Sequence, residues 1–231
     1  MHYQLHYSHK RKTIALQIKQ GNLVVRAPAY LTKQQVEQFV LSKQAWVNKK
    51  LANSLAIIEH AVFSYQDGDT LFIFGKPRRL TLVVDQKQTA YLLKDRFVIT
   101  LTSSPTELSD KKHVIRDLIV TWFSQQVDQY LQKILPIYQS EMGLYATAIK
   151  IRLYKSRWGS CNNKKALTFN SLLAMVPKAV FDYVIVHELC HIKHMNHSAA
   201  FWQLVAKYLP HYPQQKVWLK ENQKVLSLPA L

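Results

Sequence analysis

Apolar and polar residues alternate through much of the first hundred positions and recur at helical spacing through much of the rest. Ile14-Ala15-Leu16-Gln17-Ile18 and Leu23-Val24-Val25-Arg26 flank Gln20-Gly21-Asn22, a pattern that predicts two strands and a hairpin turn. Thr32 is placed to cap a helix whose apolar positions are Val36, Phe39, Val40, Trp46, Val47 and Leu51. Short β-like runs return at Leu71–Phe74, Leu80–Val84, Tyr91–Leu93 and Phe97–Leu101. Thr102-Ser103-Ser104-Pro105 then punctuates the chain, with Thr106 or Ser109 suited to start a helix.

From there to about Tyr138 the period is helical, with Val114, Leu118, Trp122, Val127, Leu131 and Leu135 on one face. Strand-like alternation resumes at Ile149–Leu153 and Ala166–Leu172, with a basic loop between them. A helix is expected from Pro177 to about Met195, another from a Ser198 cap to about Tyr208, and a last one over Gln214–Val225. The fold class is therefore α+β. A β-rich region with one long helix is expected over residues 1–103 and a mixed region over 104–231.

Composition narrows the possibilities. Hydrophobic residues make up 48% of 231 positions and charged ones 19%, which suits a folded globular chain. No apolar run reaches the roughly 18–20 residues of a membrane span, and Met1–His6 lead to Lys10-Arg11-Lys12 without a secretory apolar core. Two cysteines, Cys161 and Cys190, cannot form a disulfide framework. A cytoplasmic location and no membrane partner are expected.

Lys and Arg number 31 against 14 Asp and Glu, for a formal charge of +17. Residues 61–110 are balanced, so the excess lies in 1–60 and 111–231. Lys150, Arg152, Lys155, Arg157, Lys164, Lys165 and Lys178 follow one another with no acid among them. Such a field attracts polyanions and steers acidic partners. It equally suits a solvated surface.

The chemistry concentrates in His187-Glu188-Leu189-Cys190-His191. Residues four apart share a helix face, so His187 and His191 can present two imidazoles to one metal ion. Glu188 is turned about 100° away, near enough to orient a water without ligating the metal. Zinc activates that water, and the carboxylate takes its proton as general base and passes it to the leaving amine.

Two residues compete to be the third ligand. His194 is about 10 Å along the helix axis from His187, too far for comfortable sharing. His197 lies past the expected helix end, where a left-handed Asn196 could reverse the chain. The 187, 191, 197 spacing equals that of HExxHxxGxxH metallopeptidases, with His194 at their glycine, and His197 is preferred. One zinc per chain on His187, His191 and His197 is the expected cofactor.

Arg157-Trp158-Gly159-Ser160-Cys161 reads in two ways. It can border a cleft, with Arg157 on a substrate carboxylate or an oxyanion. It can equally be a tight turn in which Trp158 plugs the core. Cys190 points away from His191 and reads as a small core residue. Phe201, Trp202 and Val205 read as an apolar helix face, and Tyr208 and Tyr212 as minor candidates for oxyanion contact.

Lys155-Ser156-Arg157-Trp158-Gly159-Ser160-Cys161, Leu167-Thr168-Phe169-Asn170, Tyr183–His191 and Asn196-His197-Ser198 with Phe201-Trp202 together resemble the YgjP-like metallopeptidase family, a relative of SprT-type zincins. Lys12-Thr13-Ile14, Val25-Arg26-Ala27-Pro28 and Trp46 extend the similarity weakly toward the start. Ser171-Leu172 and His211 depart from the family's pattern. The resemblance implies a zincin-like core of a short antiparallel sheet and an active-site helix. It also implies zinc on His187, His191 and His197, Glu188 as catalytic base, and a protein or peptide substrate cleaved by an endopeptidase. The alternative is a basic nucleic-acid-associated module with a structural or vestigial zinc.

Overall fold

The computed structural model describes residues 3–19, 22–44, 47, 63–102, 108–223 and 226–229. Gln20, Gly21, Trp46, Leu51, the Ser103–Thr106 punctuation and Val225 lie outside them. The chain forms two compact units, Met1–Val62 and Phe63–Leu231.

In the first unit, β1 (Tyr3–Ser8), β2 (Ala15–Lys19) and β3 (Asn22–Pro28) make a sheet in the order β1-β3-β2. β2 and β3 pair antiparallel, as a hairpin should, while β1 lies parallel to β3 on the other side. Helix α1 (Lys33–Ser42) begins with a capping box, in which Thr32 and Gln35 satisfy each other's backbone N–H. Val36 and Val40 from this helix, with Val47, bury against Leu23, Val25 and Ala27.

The second unit opens with β4 (Thr70–Ile73), β5 (Lys76–Val84), β6 (Thr89–Leu93) and β7 (Arg96–Leu101), in the order β4-β5-β7-β6. Helix α2 (Leu108–Met142) shares one core with this sheet. Phe97, Ile99 and Leu101 are buried in the same cluster as Ile115, Ile119, Trp122 and Phe123. The punctuation near residue 103 therefore falls inside the second unit, because apolar surface on either side of it is buried together. α2 passes Pro136 and ends beyond Tyr138, where Gly143 turns left-handed at φ +64° and the Leu144 N–H donates to the Gln139 carbonyl at 3.2 Å.

Three strands follow, β8 (Ala148–Arg152), β9 (Gly159–Cys161) and β10 (Ala166–Asn170), ordered β8-β10-β9. β8 runs parallel and β9 antiparallel to β10, so the basic loop contains a short strand of its own. A 3-10 turn at Ser171–Met175 leads to α3 (Lys178–His191), α4 (Ala199–Tyr208) and α5 (Tyr212–Asn222).

The β4–β5 turn fixes the entry to α3. Phe74 and Gly75 N–H groups donate to the Ala174 and Met175 carbonyls at 2.7 and 3.0 Å, and a Cβ on Gly75 would sit 2.7 Å from the Pro177 ring. α3 is apolar on nearly every side, with Val180, Phe181, Tyr183, Val184, Ile185, Val186, Leu189 and Cys190 buried, as befits a central element. No described helix is long and apolar enough to cross a membrane.

Candidate metal centre

Successive turns of α3 bring His187 and His191 together, with their Nε2 atoms 3.2 Å apart. The helix ends at His191, earlier than expected, because a tight turn closes it: the Ile192 N–H bonds to the Leu189 carbonyl at 3.0 Å and the His194 N–H to the Cys190 carbonyl at 2.9 Å. Asn196 is not left-handed. The chain returns by that turn and places His197 Nε2 3.1 Å from His187 Nε2. The three imidazole donors lie within 4.8 Å of one another.

A tetrahedral zinc ion about 2.0–2.1 Å from each imidazole nitrogen separates those nitrogens by about 3.4 Å, close to the two separations His187 makes, 3.2 Å to His191 and 3.1 Å to His197. His194, the rival ligand, contributes its main chain instead. Its carbonyl lies 3.0 Å from His191 Nδ1, which must donate there and so leaves the Nε2 lone pair facing the cluster. Burial, reinforced by the neighbouring His191 and His197 and by Lys216, pushes His187 down to about 3 and keeps its ring neutral, as ligation requires. Burial also lowers His191.

Phe201 forms the floor. It is fully buried, with its ring 4.9, 4.6 and 4.8 Å from those of His187, His191 and His197. Ser198 starts α4 by accepting the Phe201 N–H at 3.4 Å, so the cap that the sequence suggests also orients the floor. Trp202 stacks on His197 at 5.5 Å and Tyr212 on Trp202 at 5.3 Å, which gives both residues a place at the site.

Glu188 is 5% exposed, and its Oε2 has no hydrogen-bond partner among the described residues. Burial pushes its carboxyl up to about 8, while Arg157 pulls in the other direction. The backbone of β9 lies directly over it: a Cβ on Gly159 would meet Glu188 Oε1 at 2.6 Å.

The loop before β9 is held by Asn170, whose role the sequence reading missed. Its amide donates to the carbonyls of Tyr154 at 3.0 Å and Arg157 at 2.8 Å. Its Oδ1 accepts the Leu172 N–H at 3.1 Å, which ends the strand that was expected to reach Leu172. A polar residue closing the apolar pair Leu167 and Phe169 was the available signal. Trp158 packs against the core, as its structural reading expects. Cys190 is fully buried and its thiol is pushed up to about 12, consistent with a core residue.

Fold and site together place this chain among the metallopeptidases, and residues 12–222 match the domain of one such group. The chain belongs to the YgjP-like metallopeptidase family. No curated protein matches it. Among solved structures it is similar to the metallopeptidase zymogen of Pyrococcus abyssi abylysin, at 20% identity and a TM-score of 0.36, over 42% of this chain and 95% of that one.

Proposed function

We propose that the protein is a zinc-dependent endopeptidase, with one zinc ion held by His187, His191 and His197 and with Glu188 as general base. The observation that carries this reading is the convergence of three Nε2 atoms above Phe201, one residue from a buried carboxyl group whose Oε2 has no partner among the described residues. A zinc ion there supplies Lewis acidity, lowering the pKa of a water and polarising the scissile carbonyl. Glu188 accepts the proton of the attacking water and hands it to the departing amine. His191 is held in the ligating tautomer by the His194 carbonyl, and Phe201 keeps the cluster's underside dry. The working residues all fall within 104–231. We place the protein in the cytoplasm on its two free cysteines.

Glu188→Gln tests the mechanism. It should retain metal and fold while losing about 10²–10⁴-fold in hydrolysis, because an amide cannot accept that proton. Undiminished cleavage would place the base elsewhere.

A second reading concerns nucleic acid. Lys150, Arg152, Lys155, Arg157, Lys164, Lys165 and Lys178 are all exposed, as a polyanion-binding surface requires. Oligonucleotide anisotropy should then show binding that weakens steeply between about 50 and 200 mM salt and is lost on charge reversal at Lys155 and Lys164.

A further inference from the structure

Two cations on different parts of the chain lie near the candidate metal centre. Lys216, on α5, sets its Nζ 3.8 Å from the centre of the Trp202 ring, the same ring that stacks on His197 and lies 5.9 Å from His187. A cation over an indole face is attracted to it, so the ammonium is held at the rim of the site. Arg157 approaches from the other element. It precedes by two residues the Gly159 that covers Glu188, and its carbonyl is fixed by Asn170. Its guanidinium lies 5.4 Å from the Tyr154 ring, again on an aromatic face.

Both side chains are exposed, and neither has an ion-pair partner among the described residues. Among the described residues Glu188 is the carboxylate beside the three histidines, and it is largely buried, with the Gly159 backbone packed against it. Two exposed cations near the candidate metal centre favour a negative group on whatever binds and disfavour a positive one.

We propose that this site selects substrates bearing a carboxylate next to the scissile bond, held by Lys216 and Arg157. The carboxylate is either an acidic side chain or a free chain terminus. The inference rests on the peptidase reading and adds to it a substrate class and two specificity residues. It gives Lys216 a role that no spacing in the sequence suggests. An exposed ion pair is worth a modest factor, so the two cations together should give roughly tenfold discrimination at low salt.

The test uses the zinc-loaded full chain and matched fluorescent peptides that differ only in Glu, Gln or Lys flanking the scissile bond, each with a free or an amidated terminus. Binding is read by anisotropy on Glu188→Gln, and cleavage on the otherwise unchanged protein, with bound zinc measured throughout. The expected result is tightest binding and highest kcat/KM for the Glu peptides, or for the free-acid peptides if the terminus is the group recognised. Introducing Lys216→Glu or Arg157→Glu should reverse the order at unchanged zinc content. Lys133→Glu on α2 makes the same change in net charge and should leave the order alone.

Equal binding of Glu and Lys peptides, together with equal binding of free-acid and amidated ones, overturns the proposal, whether or not cleavage occurs. An order that Lys133→Glu also reverses overturns it as well, since net charge alone would then be acting. Charge-selective binding without cleavage of any peptide upholds the carboxylate site and removes the peptidase reading.

Discussion

The two compact units bury different things. Among the described residues, the buried core of the first is apolar, with Leu23, Val25, Ala27, Val36, Val40 and Val47 at its centre. The second buries Thr100, Asn170, Ser171 and Glu188, and three of these fall between residues 170 and 188. A buried polar group left without a partner costs about 1–3 kcal/mol. Asn170 offsets that cost with four hydrogen bonds through its side chain, whereas Glu188 Oε2 has none. A polar group that is buried and fully bonded fixes the scaffold. Glu188, buried with an unbonded oxygen beside a cluster of metal donors, is placed to take up a ligand or a proton.

The largest test of that contrast is removal of a donor. His197→Ala should lose most of the bound zinc and with it the hydrolysis, since two imidazoles alone seldom hold the ion. His194→Ala should keep the metal, because the residue acts through a main-chain carbonyl that alanine retains. Metal analysis of the two purified variants decides between them. The opposite pattern would make His194 the ligand.

Gly159→Ala tests whether Glu188 depends on the bare backbone above it. The added Cβ would approach Oε1 at 2.6 Å, Cγ at 2.7 Å and Cδ at 2.9 Å, and the buried carboxylate must move to admit it. A displacement near 1 Å can cost about 10²-fold in rate. The variant should therefore lose kcat by about that factor while zinc content and KM stay close to their original values. Unchanged kcat would mean that the carboxylate position is not set by β9.

Asn170→Ala sets the value of the bonded class. It strands the Tyr154 and Arg157 carbonyls and the Leu172 N–H, so a loss of about 2–3 kcal/mol in urea unfolding is expected. Asn170→Asp keeps the acceptor and removes both donors, and should fall between the parent and the alanine variant. A loss below about 0.5 kcal/mol for alanine would show that the loop is held some other way.

Local signals were legible where one physical cause dominates. The β2–β3 pairing, the Thr32 and Ser198 caps, α3 and the 187, 191, 197 spacing all follow from periodicity or capping chemistry close in sequence. Features that depend on distant partners were not. β1 pairs in parallel with β3 from beyond β2 in sequence, and its Tyr3, Leu5, Tyr7 alternation is too short to mark a strand without that partner. β9 is three residues long and exists through its pairing with β10. Lys216 reaches the site through Trp202 from another helix, a placement no spacing encodes. α3 ends before its apolar period does because the Cys190 carbonyl accepts from both the Lys193 and the His194 N–H, a turn that needs no marker residue.

The smallest expected effects come from the two helix caps, and they sharpen the same contrast. Thr32 accepts the Gln35 N–H at 3.3 Å and Ser198 accepts the Phe201 N–H at 3.4 Å, so alanine at either position removes one partner of a helix-end donor. Each should cost about 1 kcal/mol of stability. Their consequences diverge beyond that. The first turn of α1 carries Val36 into an apolar core and nothing else, so Thr32→Ala should leave zinc affinity as it was. The first turn of α4 carries Phe201 under all three histidines and Trp202 against His197. Loosening it lets the third donor wander, so Ser198→Ala should weaken zinc binding by about the same 1 kcal/mol, roughly fivefold in Kd. Competition against a chromophoric chelator, run beside denaturation of both variants, measures the two quantities separately. Equal zinc affinity in the two would mean that His197 is held by its own turn and owes nothing to the helix that follows.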